Sequence, residues 1–139
     1  MQRITLAESA GFCFGVQRAV EEAIRIQKEY MKKVYTLGPL IHNNDVVKYL
    51  EEHHIFAINL KDIDTLKKGD VIVIRSHGVA KNILELLESK ELVVLNATCP
   101  FVSNIQKKVD KFSSEGYDII ILGDKNHPEV IGINGWCKN

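Results

Sequence analysis

Two cysteines and three histidines carry the side chains in this chain that are best suited to bind a metal or an anion. Each follows a short apolar run, and together they are Cys13, His42, His77, Cys99 and His127. Thiolates suit zinc or an iron–sulfur cluster, whereas histidines near helix N-termini suit an anion such as phosphate. Because ligands of open α/β sheets bind outside the carboxyl ends of the strands, we expect these side chains to converge on one site.

The two cysteines share a setting at the start of a predicted helix. Cys13 lies between Gly11 and Gly15, and Cys99 directly precedes Pro100, a residue well suited to the first position of a helix. A helix N-terminus favours the thiolate form, which is both a ligand and a nucleophile. A lone cysteine can also be a small buried apolar residue, and packing is the interpretation that we give to Cys137.

Other polar residues are interpreted more simply. Glu129 follows His127 by two residues in a predicted loop, where a carboxyl group beside an anionic ligand could donate or relay a proton. His53 and His54 lie on a predicted helix surface beside Glu51 and Glu52, and we interpret them as solvated side chains.

The hydrophobic periodicity indicates which elements position these residues. It predicts helices over 16–31, 43–54, 80–90 and 100–114, and strands at 4–7, 34–37, 55–58, 71–74, 92–95 and 118–123. Residues 130–139 show no clear element. Strands that alternate with helices in this order indicate an α/β fold with mostly parallel sheets flanked by helices.

Composition excludes several classes of protein. The 139 residues contain 18 basic and 18 acidic side chains, and the Lys residues form no block, so nucleic acid is not an expected partner. No apolar run approaches the roughly 20 residues that span a bilayer, and no signal peptide is recognisable. We therefore expect a cytoplasmic protein without a membrane partner, in which cysteines bind metal more readily than they form disulfides.

Known nucleotide and zinc motifs are missing from the sequence. There is no Gly-x-x-x-x-Gly-Lys-Ser/Thr loop, which excludes a P-loop nucleotide triphosphatase, and there are no closely spaced cysteine pairs of the zinc-finger kind. No flavin or nicotinamide fingerprint is present either.

Five motifs in order resemble the 4-hydroxy-3-methylbut-2-enyl diphosphate reductase family, also called LytB/IspH. The motifs run along the whole chain and occupy residues 11–16, 41–43, 75–79, 97–100 and 127–130. The resemblance implies a reductive dehydration that yields isopentenyl and dimethylallyl diphosphates in the non-mevalonate isoprenoid pathway. It implies a 4Fe-4S cluster and a ferredoxin or flavodoxin type electron donor.

The resemblance also implies a role for each site residue. Cys13 and Cys99 match two of three cysteine ligands of the cluster, His42, His77 and His127 match residues that bind the substrate diphosphate, and Glu129 matches the residue that serves proton delivery. Cys137 comes too soon after residues 127–129 to match the third ligand.

Family members are about twice as long as this chain and have three similar α/β units in a trefoil-like arrangement. We therefore expect an N-terminal portion, inactive alone, with one complete unit and part of a second. Residues 1–12 would form a strand and linker belonging to the third unit, 13–99 the first unit, and 100–139 part of the second. The open sheet edge of such a portion favours aggregation or dimerisation.

Two other functions remain open at this level. The histidines alone could form a phosphate- or diphosphate-binding module without redox activity. Alternatively, cysteine and histidine could bind zinc, although five separate strand ends spread the ligands more widely than one tetrahedral ion requires.

Overall fold

A computed structural model describes residues 3–138 and contains one four-stranded parallel sheet. Its strands are β1 (Val34–Leu37), β2 (Ile55–Ile58), β3 (Val71–Ile74) and β4 (Val93–Asn96). They lie in the order β2-β1-β3-β4, and all neighbours are parallel. The α/β architecture predicted from the sequence is therefore confirmed.

Five α-helices surround and extend this sheet: α1 (Phe14–Tyr30), α2 (Asn44–Glu52), α3 (Lys81–Ser89), α4 (Pro100–Ser114) and α5 (Pro128–Asn134). A 3-10 helix over Leu60–Thr65 lies between β2 and β3. Among the described residues, no helix is both long and apolar enough to cross a membrane.

The sheet buries a different apolar cluster on each face because successive strand residues point in opposite directions. On one face, β1 and β3 residues pack with the buried side of α1, including Ala19, Ala23 and Ile26. On the other face, alternate residues of the same strands pack with Leu87 of α3 and Ile63 of the 3-10 helix. All four residues of β3 are fully buried, as expected for a central parallel strand.

Three sequence-based predictions of secondary structure are wrong. Residues 4–7 and 118–123 form no strand, and their side chains include strongly exposed apolar ones such as Ile4, Leu6, Ile120 and Leu122. A strand needs a hydrogen-bonded neighbour, and neither segment pairs with another within residues 3–138. The third error concerns Glu129, which lies in the first turn of α5 and not in a loop.

Candidate functional site

The residues that follow β1, β3 and β4 lie side by side, because these parallel strands are neighbours in the sheet and end at the same edge. β3 pairs with β4 in a register that matches Ile74 with Asn96, and the ladder continues past the strands through a Cys99 N–H that donates to the Ser76 carbonyl at 2.9 Å. Cys99 and His77 consequently leave the sheet at adjacent positions. The register of β3 with β4 is therefore what brings Cys99 and His77 together at the carboxyl edge of the sheet.

The first turn of α1 is packed directly against Cys99. A Cβ built on Gly15 would lie 3.0 Å from both Cβ and Sγ of Cys99, a tighter contact than side chains normally make, so glycine favours this close approach. One turn further along α1, Arg18 donates to the Thr98 carbonyl at 3.1 Å. These two contacts bring the N-terminus of α1, and with it Cys13, to the N-terminus of α4.

Both cysteines occupy N-cap positions: Cys99 caps α4, as the sequence predicted, and Cys13 caps α1, which begins two residues before the predicted start at residue 16. Neither side chain accepts a capping hydrogen bond, so the first N–H groups of these two helices point toward a shared region without a side-chain partner. Cys13 is exposed and Cys99 is partly buried. Two thiols in such positions fit as part of a thiolate ligand set for an iron–sulfur cluster.

Cys137 lies at the other end of α4. It lines a cavity with Ser113, and the neighbouring Lys138 N–H donates to Ser113 Oγ at 3.3 Å. Ser113 is 14 residues along α4 from Cys99, which corresponds to a separation of roughly 20 Å at 1.5 Å per residue. Cys137 therefore cannot share a metal centre with Cys99 in this fold, and our interpretation of it as a packing residue agrees with this position.

His77 and His127 form a close pair although they are 50 positions apart. Their ring centroids lie 5.6 Å apart in an edge-to-face arrangement. His127 is the N-cap of α5, and its Nδ1 accepts the Glu129 N–H at 3.2 Å. This hydrogen bond assigns the proton of neutral His127 to Nε2, which remains as a donor for a ligand.

The pKa of His77 is shifted by its burial and by the charges of neighbouring groups. Burial lowers the pKa of His77, the positive charge of Arg75 lowers it further, and the Glu129 carboxylate raises it. His127 and His42 also lower the His77 pKa through their charges. His42, His127 and Glu129 are thus close enough to His77 to influence its pKa.

His42 lies in the loop between β1 and α2 and is exposed. The next residue, Asn43, caps α2, because its side-chain oxygen accepts the N–H groups of Asp45 at 3.0 Å and Val46 at 3.2 Å. The cap defines where the loop ends and so limits where the His42 backbone can lie. By contrast, the predicted solvated residue His53 is a helix C-cap whose Nδ1 lies 2.7 Å from the Tyr49 carbonyl.

The loop that carries His77 is fastened to the helices that follow. The Val79 carbonyl accepts Trp136 Nε1 at 2.9 Å and Gln106 Nε2 at 3.3 Å. Gly132 of α5 packs closely on the His77 backbone, since a Cβ there would lie 3.3 Å from the His77 oxygen. These contacts hold the His77 loop against α5, the helix that carries Glu129.

Arg75 lies at the same sheet edge, and our sequence analysis gave it no role. It directly follows β3, is half-buried, and lines an apolar cleft of about 190 Å³ between the sheet edge and α5. Its Nε atom and His77 Nδ1 are buried without a hydrogen-bond partner in the described part of the chain. The sequence feature that could have drawn attention to Arg75 is a charged residue directly after a fully apolar strand.

Metal binding by the described side chains alone is limited. Within residues 3–138, no group of three or more His, Cys, Asp or Glu side chains could hold a metal ion. A zinc site needs at least three protein ligands. The zinc alternative therefore has no ligand group in the described part of the chain.

The fold and the site define a class: α/β proteins whose parallel sheet presents imidazoles, a carboxyl group and helix-terminal thiols at one edge. This arrangement suits an anionic ligand held beside a thiolate-bound metal centre. The chain belongs to the LytB family, because the model described as LytB protein matches residues 4–139. The family resemblance inferred from the five motifs is confirmed.

Similar proteins cover the whole chain but are much longer. The chain is 66% identical over 138 residues to the 4-hydroxy-3-methylbut-2-enyl diphosphate reductase of Clostridium perfringens (strain 13 / Type A), covering 99% of this chain and 49% of that protein. A Clostridium acetobutylicum protein of the same name is 62% identical over all of this chain, which covers 22% of its length. The chain thus spans half or less of these relatives.

Solved structures agree with the fold. A structure of (E)-4-hydroxy-3-methyl-but-2-enyl diphosphate reductase, the terminal enzyme of the non-mevalonate pathway, matches with a TM-score of 0.83 and 46% identity, covering 96% of this chain and 46% of its own. The corresponding reductase from Plasmodium falciparum matches with a TM-score of 0.84 and 35% identity, covering 93% of this chain and 40% of its own.

Proposed function

We propose that this chain is part of a 4-hydroxy-3-methylbut-2-enyl diphosphate reductase and contributes its diphosphate site and two cysteine ligands of a 4Fe-4S cluster. The reaction is a reductive dehydration: two electrons and two protons convert the allylic hydroxy-diphosphate to isopentenyl or dimethylallyl diphosphate and water. The observation that carries the proposal is that Cys99, His77 and His127 meet at one sheet edge in a chain 66% identical to a relative of that name.

Cys13 and Cys99 would hold the cluster from the N-termini of α1 and α4. Helix N-termini favour anionic thiolates and the net negative charge of a cluster with thiolate ligands. When bound, the cluster supplies electrons one at a time and a Lewis-acidic iron for the substrate hydroxyl. The third cysteine would come from the part of the reductase that this chain does not match, and we expect the chain alone to be inactive for that reason.

The three histidines would bind the diphosphate. His127 offers its Nε2 proton, because Nδ1 already accepts the Glu129 N–H, and His77 has a buried nitrogen without a partner. His42 approaches from the neighbouring loop. Three imidazoles on separate elements can fix the orientation of the diphosphate, and with it the direction of the hydroxymethyl end.

Glu129 would deliver the proton to the departing hydroxyl. The carboxyl group follows the His127–Pro128 segment and raises the pKa of His77, and both observations support a role for Glu129 near the proposed diphosphate site. A protonated carboxyl group in that position can pass its proton to the hydroxyl oxygen as the carbon–oxygen bond breaks.

We further propose that the donor is a reduced ferredoxin or flavodoxin type protein and that the enzyme works in the cytoplasm. The family resemblance supports such an external electron donor. In this proposal residues 13–99 form the first α/β unit, to which all four strands belong, and residues 100–139 begin the second.

A chimera tests the proposal. The part of the Clostridium perfringens reductase that this chain does not match is joined to this chain, and the product is reconstituted anaerobically with iron and sulfide. We expect visible charge-transfer absorption and reduction of the allylic diphosphate with a chemical reductant. Cys13→Ser and Cys99→Ser should each remove both, whereas Cys137→Ser is the matched control and should retain them. A chimera that binds no iron would contradict the assignment.

A diphosphate-binding module without redox activity is the second candidate, favoured by the exposure of Cys13. It predicts that calorimetric titration with inorganic diphosphate gives the same affinity for the chain and for its Cys13→Ser and Cys99→Ser variants. It also predicts a chimera that binds diphosphate but no iron.

A further inference from the structure

We propose that Arg75 is an anion-binding residue of the diphosphate site and supplies its permanent positive charge. This inference rests on the proposed function, because it takes the diphosphate as the ligand. It assigns a role to a residue outside the cysteines, histidines and glutamate already considered.

The first step is the pair of buried nitrogen atoms without partners. Nε of Arg75 and Nδ1 of His77 are the buried side-chain atoms without a hydrogen bond among the residues that the structure describes, and they belong to the same short loop. Buried polar groups are nearly always paired, so an unpaired donor indicates a partner that is bound in the functional state. Two such atoms in one loop at the sheet edge point to a common ligand.

The second step is that the guanidinium group lacks a counter-ion. No ion pair of the described residues includes Arg75. Burial lowers the pKa of Arg75, in keeping with a charged group that is partly removed from water. Burying an unpaired charge is costly, and an anionic ligand would offset that cost.

The third step concerns how the side chain is placed. In the register of β1 with β3, Thr36 lies opposite Val73, so continuing the ladder places Gly38 opposite Arg75. A Cβ on Gly38 would lie 2.8 Å from a terminal nitrogen of Arg75, and Gly38 has a φ of 75° that glycine adopts readily. The guanidinium group therefore lies against Gly38, at the start of the loop that leads to His42.

The fourth step is the charge balance of the site. A diphosphate ester carries two to three negative charges near neutral pH, whereas histidine is mostly neutral there because its ordinary pKa is about 6.5. Other nearby cations are already engaged: Arg18 donates to the Thr98 carbonyl, and Lys81 pairs with Asp110. Arg75 has neither kind of partner, and its fork of N–H groups matches a phosphate in geometry.

Calorimetric titration of the chain with inorganic diphosphate tests the inference at pH 8, which is above the ordinary pKa of a histidine side chain. We expect Arg75→Gln to weaken binding by roughly 10- to 150-fold, the range for a lost charge-assisted hydrogen bond. Arg75→Lys keeps the positive charge but lacks the planar guanidinium group that can donate two parallel hydrogen bonds, so it should bind diphosphate with intermediate affinity. Arg25→Gln is the matched control: it removes the same charge from an exposed ion pair on α1 and should bind like the parent chain.

A histidine titration followed by NMR checks that the charge of Arg75 lies close to His77, and repeating it with diphosphate bound checks that the two residues share the ligand. Removing the positive charge in Arg75→Gln should raise the pKa of His77, and Arg75→Lys should leave it close to the parent value. If Arg75→Gln folds and binds diphosphate as tightly as the parent, the role of Arg75 is refuted while the diphosphate site stands. If the parent chain itself binds no diphosphate, the proposed function of this site fails.

Discussion

Replacing Gly15 by alanine should destabilise this protein, although the same change stabilises an ordinary helix. Alanine is favoured over glycine in a helix by up to about 1 kcal/mol. At position 15 the added Cβ would lie 3.0 Å from both Cβ and Sγ of Cys99. Relieving such a clash in a packed interior costs about 1–3 kcal/mol. The expected net result is a loss of about 1 kcal/mol in the free energy of unfolding.

Urea denaturation followed by circular dichroism measures this loss, and a double-mutant cycle assigns it to Cys99. Cys99→Ala removes Sγ, so Gly15→Ala should cost less in that background, with a coupling energy above about 0.5 kcal/mol. Cys137→Ala is the matched control, because it lies at the opposite end of α4 and its effect should simply add. If Gly15→Ala instead stabilises the chain by 0.5–1 kcal/mol, as at an open helical position (about the propensity difference), α1 does not pack on Cys99 as described.

Three further predictions address the supports of the site. Asn43→Ala should lower the free energy of unfolding by about 1 kcal/mol in urea denaturation because it removes the α2 cap, whereas Asn104→Ala on exposed α4 surface should not. Trp136→Phe should cost about 1 kcal/mol in the same assay by removing the hydrogen bond to the Val79 carbonyl; an unchanged value would contradict that bond. The lowered pKa of His77 means that the unfolded chain binds its proton first, so stability should fall as pH drops below about 6.5. In urea denaturation of His77→Gln over the same pH range, the free energy of unfolding should decrease less at low pH than it does in the parent chain.

The sequence was sufficient to predict the four central strands, the Cys99 cap and the position of Cys13 near the start of a helix. Continuous apolar runs such as residues 71–74 have the length and composition of buried parallel strands, and each observed strand lies within one residue of its predicted range. Pro100 and the glycine-flanked Cys13 mark the starts of their helices. These signals are local, so a single sequence contains them.

Features that depend on distant partners were not predictable in the same way. Residues 118–123 have the composition of a strand but pair with no neighbour in the described part of the chain, and composition carries no information about pairing. Helix α5 was missed because it is short, although His127–Pro128 is a recognisable N-cap and first-turn pair. The sequence draws attention to Arg75 through a charged residue directly after an apolar strand, but only the packed structure reveals that its Nε has no partner among the described residues.

The measurement that tests the central claim most directly is anomalous iron diffraction from crystals of the reconstituted chimera soaked with inorganic diphosphate. We predict an iron peak bonded to Sγ of both Cys13 and Cys99, with the diphosphate against His42, His77 and His127. An iron peak at Cys137, or a diphosphate bound away from the three histidines, would contradict the shared site.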